Sequence, residues 1–312
     1  MDQFTAVRAF IRVVETASFT KASNTLELPR NTVTKLIQAL EARLRVKLLN
    51  RTTRRVSVTN DGAAYYERMK RIMEEWLETE SELANSHARP RGKVRVDMGS
   101  ALATQLVIPS LSTFFRRYPE IQLDIGASDR PVDLISDSVD CVVRAGKVTD
   151  PSLIARHLGD LSLVLCATRA YLARHGTPKH PADLEHGHTI VRYSFAGSGR
   201  KMPLILSLGD SQVTVQGQYL VSVNDANALL AAGLAGLGVL HTLELIVRTH
   251  IDEGRLVPLL EEWSAEPVPI SVIYSPNRHL SARVRVFVDW MFQLFNAHPQ
   301  TRPAKHRGAK RP

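Results

Sequence analysis

Only two cysteines occur, Cys141 and Cys166, each inside an apolar segment. Two thiols cannot build a disulfide framework or a cysteine-rich metal site, so buried, reduced side chains are expected. No stretch approaches the ~20 consecutive apolar residues that a bilayer-spanning helix needs. The opening Met1-Asp2-Gln3-Phe4 lacks the basic start and apolar run of an export signal. A cytoplasmic protein without membrane association is therefore expected. Also missing are a glycine-rich loop followed by Lys-Ser/Thr and a histidine pair at helical metal spacing. Ala196-Gly-Ser-Gly199 does not make the Gly-x-Ser-x-Gly elbow of a hydrolase. The eleven histidines are scattered, and the nearest pair, His186 and His188, reads as solvated loop. Neither enzymatic activity nor a cofactor or metal is expected.

What is present is charge, unevenly spread. Of the net +9, residues 1–60 carry 11 Lys/Arg against 4 Asp/Glu, whereas residues 61–88 carry 3 against 7. Residues 302–312 add five basic side chains and no acid. A local basic excess marks a surface suited to a polyanion. The 312 residues are too many for one ordinary core, so two or three compact units are expected.

The basic head has helical periodicity. Phe4, Val7, Phe10, Ile11 and Val14 recur at three-and-four spacing over residues 2–16. Ser18 can cap a second helix carrying Ala22 and Leu26. The Leu28-Pro29 pair interrupts it before a third helix near Arg30. On that third helix, about 30–43, Val33, Leu36, Ile37, Leu40 and Leu44 share one face. Asn31, Thr34, Lys35, Gln38 and Arg45 gather on the other. The outer face offers amide, hydroxyl and cationic groups of the kind that read base edges and phosphates. By itself it is also what any solvated helix shows. Beyond it, Val56 and Val58 alternate with Arg55, Ser57 and Thr59 behind Arg51-Thr-Thr-Arg-Arg55, which predicts a short strand pair with a basic tip.

Phe19-Thr20 with Ala22, Val33-Thr34, Ile37, Leu40-Glu41, Leu44, Leu48-Leu49, Arg51-Thr52, Arg54-Arg55 and Thr59 with Gly62 together resemble the LysR-type transcriptional regulators in order and spacing. The resemblance implies an N-terminal winged helix-turn-helix. It would contact double-stranded DNA through Arg30, Asn31, Thr32, Thr34, Lys35 and Gln38, and through Arg51, Thr53, Arg54 and Arg55 of the wing. Pro29 departs from the serine common at that helix start, so the usual side-chain cap is lost.

From Thr59 to about Asn85, Tyr65, Met69, Ile72, Trp76, Thr79 and Leu83 alternate by four and three. Such a seam packs on its own chain or on a second copy. The ~40 Å length and the lack of an obvious covering segment favour the second copy. The resemblance likewise implies dimers, often paired into tetramers, whose heads face the paired half-sites of an operator.

After His87-Ala-Arg-Pro-Arg-Gly92, read as a hinge, Val94, Val96 and Met98 alternate as a strand. Helical spacing follows over 102–115, then strands at Ile121, Leu123, Ile125 and at Val142-Val143. This alternation predicts a mostly parallel sheet with helices on both faces. Ligands in such sheets sit beyond strand C-termini. Three junctions qualify: Gly99-Ser100-Ala101, Ala127-Ser128-Asp129 and Val223-Asn224-Asp225. Ordinary helix capping explains the same residues. Arg144, within an apolar strand, requires an anionic partner, either a ligand or a protein carboxylate.

Arg117-Tyr-Pro-Glu, Asp140 through Gly146, Leu165-Cys-Ala, His175-Gly-Thr-Pro and Gly236-Leu-Gly238 extend the resemblance over about residues 1–295. It implies an α/β sensor of the type 2 periplasmic-binding-protein fold. The expected divisions are 1–58 for the head, 59–88 for the connecting helix, 89–301 for the sensor and 302–312 for a disordered basic tail. Within the sensor, one lobe spans about 92–162 and 268–295 and the other about 163–267. The effector, a small carboxylate or other polar metabolite, would meet Ser100, Ala101, Thr104, Ser128, Arg144, Gly146, Tyr193, Asn224 and His241. His241 replaces a proline common at that point. Its binding would alter the spacing of two heads and their contact with RNA polymerase. A solute-binding protein and an architectural DNA-bending protein are the rival readings, the first disfavoured by the basic head.

Overall fold

Asp2 opens the first helix by accepting the Phe4 and Thr5 N–H groups on its carboxylate, and α1 (Gln3–Thr16) follows. Ser18 caps α2 (Phe19–Leu26) by accepting the Lys21 N–H. Pro29 starts α3 (Arg30–Leu44) with no side-chain cap, as its lack of a hydroxyl dictates. In the computed structural model, residues 2–51, 56–84, 89–132, 134, 137, 139–148, 150–275 and 280–301 are described. Two units separate, Met1–Ala88 and Arg89–Pro312.

In the first unit, Val7, Phe10, Val13, Ala22, Val33, Ile37 and Leu40 form one core. A two-stranded wing, β1 (Leu49–Arg51) against β2 (Val56–Val58), lies beside it. The wing tip, 52–55, and with it the expected contacts Thr53, Arg54 and Arg55, lies outside the described residues, as does the Arg51 side chain. Thr59 accepts the Gly62 N–H to start α4 (Asn60–Ala84) and donates its own hydroxyl to the Lys47 carbonyl. Gly62 is required here, because a Cβ would stand 2.0 Å from the Leu48 carbonyl oxygen.

The apolar stripe of α4 has a partial covering segment on its own chain, which the sequence did not reveal. α1 of the same chain packs on part of it: Tyr65 lies 5.6 Å from the Phe10 ring, Trp76 touches Phe4 with ring centroids 5.2 Å apart, and Met73 is buried. Ile72 and Trp76 still remain about half exposed, at 48% and 53%. The side chains of Thr79 and Leu83 lie outside the described residues.

The second unit holds two five-stranded sheets. In the first, β3 (Gly92–Met98) runs parallel to β4 (Ile121–Ala127) and β5 (Cys141–Ala145). β14 (Val268–Tyr274) runs antiparallel to both β5 and β6 (Ile154–Leu161). In the second, β8 (Ile190–Tyr193) is parallel to β11 (Ser222–Val223) and β12 (Val239–Leu243). β7 (Leu163–Ala167) is antiparallel to β12 and β13 (Val257–Leu259). A hairpin, β9 (Leu204–Leu208) with β10 (Ser211–Val215), flanks the second lobe.

The sheets are thus mixed rather than mostly parallel. In each, the reversed strand is the first after a crossing between lobes: β7 follows β6 after Ser162, and β14 follows β13. A chain that leaves one sheet at its cleft-side end enters the next from that side, and so runs against its neighbours. Helices follow the strands: α5 (Ser100–Leu102), a π-helical turn Ala103–Val107 and α6 (Ile108–Arg117) after β3, then α7 (Arg169–His175), α8 (Ala226–Leu234), α9 (Glu244–Asp252) and α10 (Ala282–Ala297). Phe114, Phe287, Trp290 and Phe295 pack on the first sheet, and Tyr171, Leu184, Leu204 and Leu206 on the second. Both cysteines are free and buried. His188, expected in solvent, is also buried, beside Tyr171, whose hydroxyl lies 3.4 Å from its Nδ1.

Candidate DNA-reading surface and ligand cleft

The two faces of α3 differ as their chemistry demands. Val33, Leu36, Ile37 and Leu40 are at most 5% exposed, whereas Arg30, Asn31, Lys35 and Gln38 face solvent. Thr32 and Thr34 are half-buried at the rim, and the Thr34 hydroxyl donates to the Arg30 carbonyl at 3.0 Å. Arg30 and Lys35 have no carboxylate partner among the described residues. That leaves their charge available to phosphate.

The inner face holds a residue the sequence reading missed. Glu41 is 3% exposed, and its Oε1 accepts the Leu48 and Leu49 N–H groups at 3.0 and 3.1 Å. One carboxylate therefore ties α3 to the first wing strand. The signal was present, because position 41 is four residues after Ile37, within the apolar stripe.

In the second unit the three expected strand–helix junctions converge on the cleft between the lobes. Asp129, from the first lobe, accepts the Ser100 N–H at 3.0 Å. With its other oxygen it accepts the Ala226 N–H at 2.8 Å and the Tyr193 hydroxyl at 3.2 Å, both from the second lobe. The Ser100 hydroxyl crosses to Asp225 at 2.5 Å, and Asp225 also caps α8 through the Ala228 N–H. A protein carboxylate thus stands at the N-terminus of α8, where the backbone donors and helix dipole favour an anion.

Arg144 is partnered from within. Its guanidinium donates to Asp97 and to the carbonyls of Val143 and Arg130. Of the two partners left open by the sequence, the protein carboxylate is the one present. Gly126 makes room for it, since a Cβ there would lie 2.1 Å from an Asp97 oxygen.

Between the lobes is a cavity of about 280 Å³. Leu102, Leu161, Leu163, Leu229, Leu243, Ile246, Val268 and Ile270 are among its apolar wall residues, with Asp129, Arg144, Tyr193, His241 and Thr242 as polar members. Of the expected effector contacts, Ala101, Arg144, Gly146, Tyr193 and His241 line it. Ser100 and Thr104 sit at the junction behind, where the Thr104 hydroxyl lies 3.4 Å from Asn227 Oδ1. Ser128 turns to its own loop and accepts the Arg130 N–H, while Asn224 borders a separate open pocket with Ser194 and Ser222. Asp97, Asp129 and Asp225 were not singled out, although the last two close the junctions already noted.

Two buried groups of the cleft, His241 and Tyr193, are held neutral. Burial, reinforced by the Arg192 guanidinium, pushes the His241 imidazole down to about 4. Its Nε2 has no hydrogen-bond partner among the described residues. Burial, then the Asp129 carboxylate, pushes the Tyr193 phenol up. Burial raises both thiols as well, Cys166 to about 12.

Two family profiles match the two units: residues 4–63 fit a "bacterial regulatory helix-turn-helix protein, lysR family", and residues 87–296 fit a "LysR substrate binding domain". The chain belongs to the LysR family. This LysR-type regulator is 37% identical over 302 residues to an HTH-type transcriptional repressor of Pseudomonas aeruginosa, covering 96% of this chain and 94% of that one. It is 33% identical to CrgA of Neisseria meningitidis over 91% of this chain and 94% of that one. Against the solved structure of CrgA the TM-score is 0.60, at 31% identity over 93% and 97% of the two chains. The full-length virulence activator AphB of Vibrio cholerae gives 0.57 at 28% identity over 94% and 99%. The regulator accordingly has an N-terminal DNA-binding helix-turn-helix and a two-lobed effector-binding domain. Relatives named as repressor and as activator are both similar to it. Among the described residues no helix is long and apolar enough to cross a membrane.

Proposed function

We propose that α3 of this LysR-type regulator enters the major groove with Arg30, Asn31, Thr32, Thr34, Lys35 and Gln38 toward bases and phosphates. Arg51, Thr53, Arg54 and Arg55 of the wing flank it on the backbone. The observation that carries this is the division of α3 into a core face that is essentially closed and a basic and amide face that is open. Two copies, joined along the exposed part of α4 around Ile72 and Trp76, present two heads to paired half-sites. A pair of dimers makes the tetramer. A small molecule in the interlobe cavity shifts the population of lobe arrangements, changing the spacing of the heads and their contact with RNA polymerase.

Selection from a pool of fragmented chromosomal DNA tests the reading. The purified regulator should enrich a small set of fragments sharing paired half-sites, and Gln38→Ala should broaden that set. Enrichment no better than for a random pool, at low salt and with and without metabolite extracts, would remove the proposal.

A further inference from the structure

We infer that the interlobe cavity takes an uncharged, largely apolar molecule bearing one hydrogen-bonding group, and that His241 meets that group. The inference rests on the reading of the cavity as the effector site, and it departs from the anionic effector that the sequence alone favoured.

The groups that would bind an anion are already engaged. Arg144 is spent on Asp97 and two carbonyls. The Ser100 and Ala226 N–H groups, at the starts of α5 and α8, are both donated to Asp129. Arg192, whose charge acts on His241, does not line the cavity; its Nη2 donates to the carbonyls of Val215, Gln216 and Gly217, while its buried Nε has no partner among the described residues. Two cations, Arg144 and Arg192, thus stand against three carboxylates, Asp97, Asp129 and Asp225. A carboxylate entering this space would lose its hydration and meet no free cation on the cavity wall, which is unfavourable in an apolar site.

What remains unengaged is of a different kind. Most of the wall is aliphatic. His241 is 7% exposed, and its Nε2 has no partner among the described residues. Because burial keeps the ring neutral, it offers one donor or acceptor rather than a charge. At ~30 Å³ per water-sized group, the space suits on the order of ten non-hydrogen atoms.

Calorimetry and melting curves on the full-length regulator at pH 7.5 test this with four probes sharing one ring: benzyl alcohol, methyl benzoate, toluene and benzoate. Benzyl alcohol and methyl benzoate should bind at least ~10-fold more tightly than benzoate. His241→Leu should weaken benzyl alcohol by ~5-fold while leaving toluene unchanged, and His241→Gln, which keeps a polar group, should restore most of the loss. Asp129→Asn, which removes the resident charge, should raise benzoate affinity. Benzoate binding more tightly than both neutral probes overturns the inference but leaves the cavity as the effector site. An equal effect of His241→Leu on toluene and benzyl alcohol overturns the role of His241. Binding of none of the four at millimolar concentration removes both the inference and the cavity reading beneath it.

Discussion

Replacing Glu41 separates packing from recognition in the head. In Glu41→Ala the Leu48 and Leu49 N–H groups, now accepted by one buried carboxylate at 3.0 and 3.1 Å, lose that acceptor. Each costs about 1–3 kcal/mol, so the sum is of order 2–6 kcal/mol. The nearby Lys47, 3.6 Å away and 79% exposed, adds little. At roughly 4–8 °C per kcal/mol for a unit of this size, Glu41→Ala should lower the melting of the first unit by about 8 °C or more. Glu41→Gln keeps an acceptor oxygen and should lower it by only about half as much. Hydrogen–deuterium exchange over 45–51 in the full chain isolates the effect from the sensor unit, and protection there should fall in Glu41→Ala. DNA affinity should drop as the wing loosens, while preference among sequences persists. Unchanged exchange over 45–51, with melting within about 2 °C of the parent, would refute the reasoning.

His241 sets a pH window. Folded, it stays neutral to about pH 4, whereas the unfolded chain takes up a proton near 6.5. The depressed value means that stability falls as pH drops from 6.5 toward 4, by roughly 3 kcal/mol for this residue. Acid melting of the sensor should flatten in His241→Leu, and an unaltered pH profile would contradict the burial argument. Gly126→Ala drives a methyl group into Asp97 and should destabilise the sensor by about 1–3 kcal/mol, measured by chemical unfolding. Ile72→Glu places a charge on the exposed stripe of α4 and should lower the light-scattering mass to that of a monomer without melting the head; an unchanged mass would move the dimer contact elsewhere.

Much of the head was legible because its determinants are local. Ser18 and Thr59 cap helices three residues ahead, and the faces of α3 follow from a 3.6-residue period. The burial of Glu41 was legible in position but not in chemistry, since its partners come seven and eight residues later across a turn. Strand direction was not readable, because whether β14 runs with or against β5 depends on which lobe the chain has just left. The junction residues were found as a group, yet which of them carries the contact was not. Asp129 bridges to Ala226 across 97 positions, and Arg144 finds Asp97 only once β3 and β5 pair. Helix capping and ligand binding use the same side chains, so sequence could not separate Ser128 and Asn224, which do not line the cavity, from Tyr193 and His241, which do.

The most direct test of the account is the ratio of operator to random-duplex affinity, followed across salt concentration for the parent, Lys35→Ala and Gln38→Ala. If α3 reads the groove, Lys35→Ala lowers both affinities together and reduces the salt slope by about one unit. Gln38→Ala leaves the slope alone and shrinks the ratio by about tenfold. Identical ratios and slopes for all three proteins would place DNA recognition somewhere other than the exposed face of this helix.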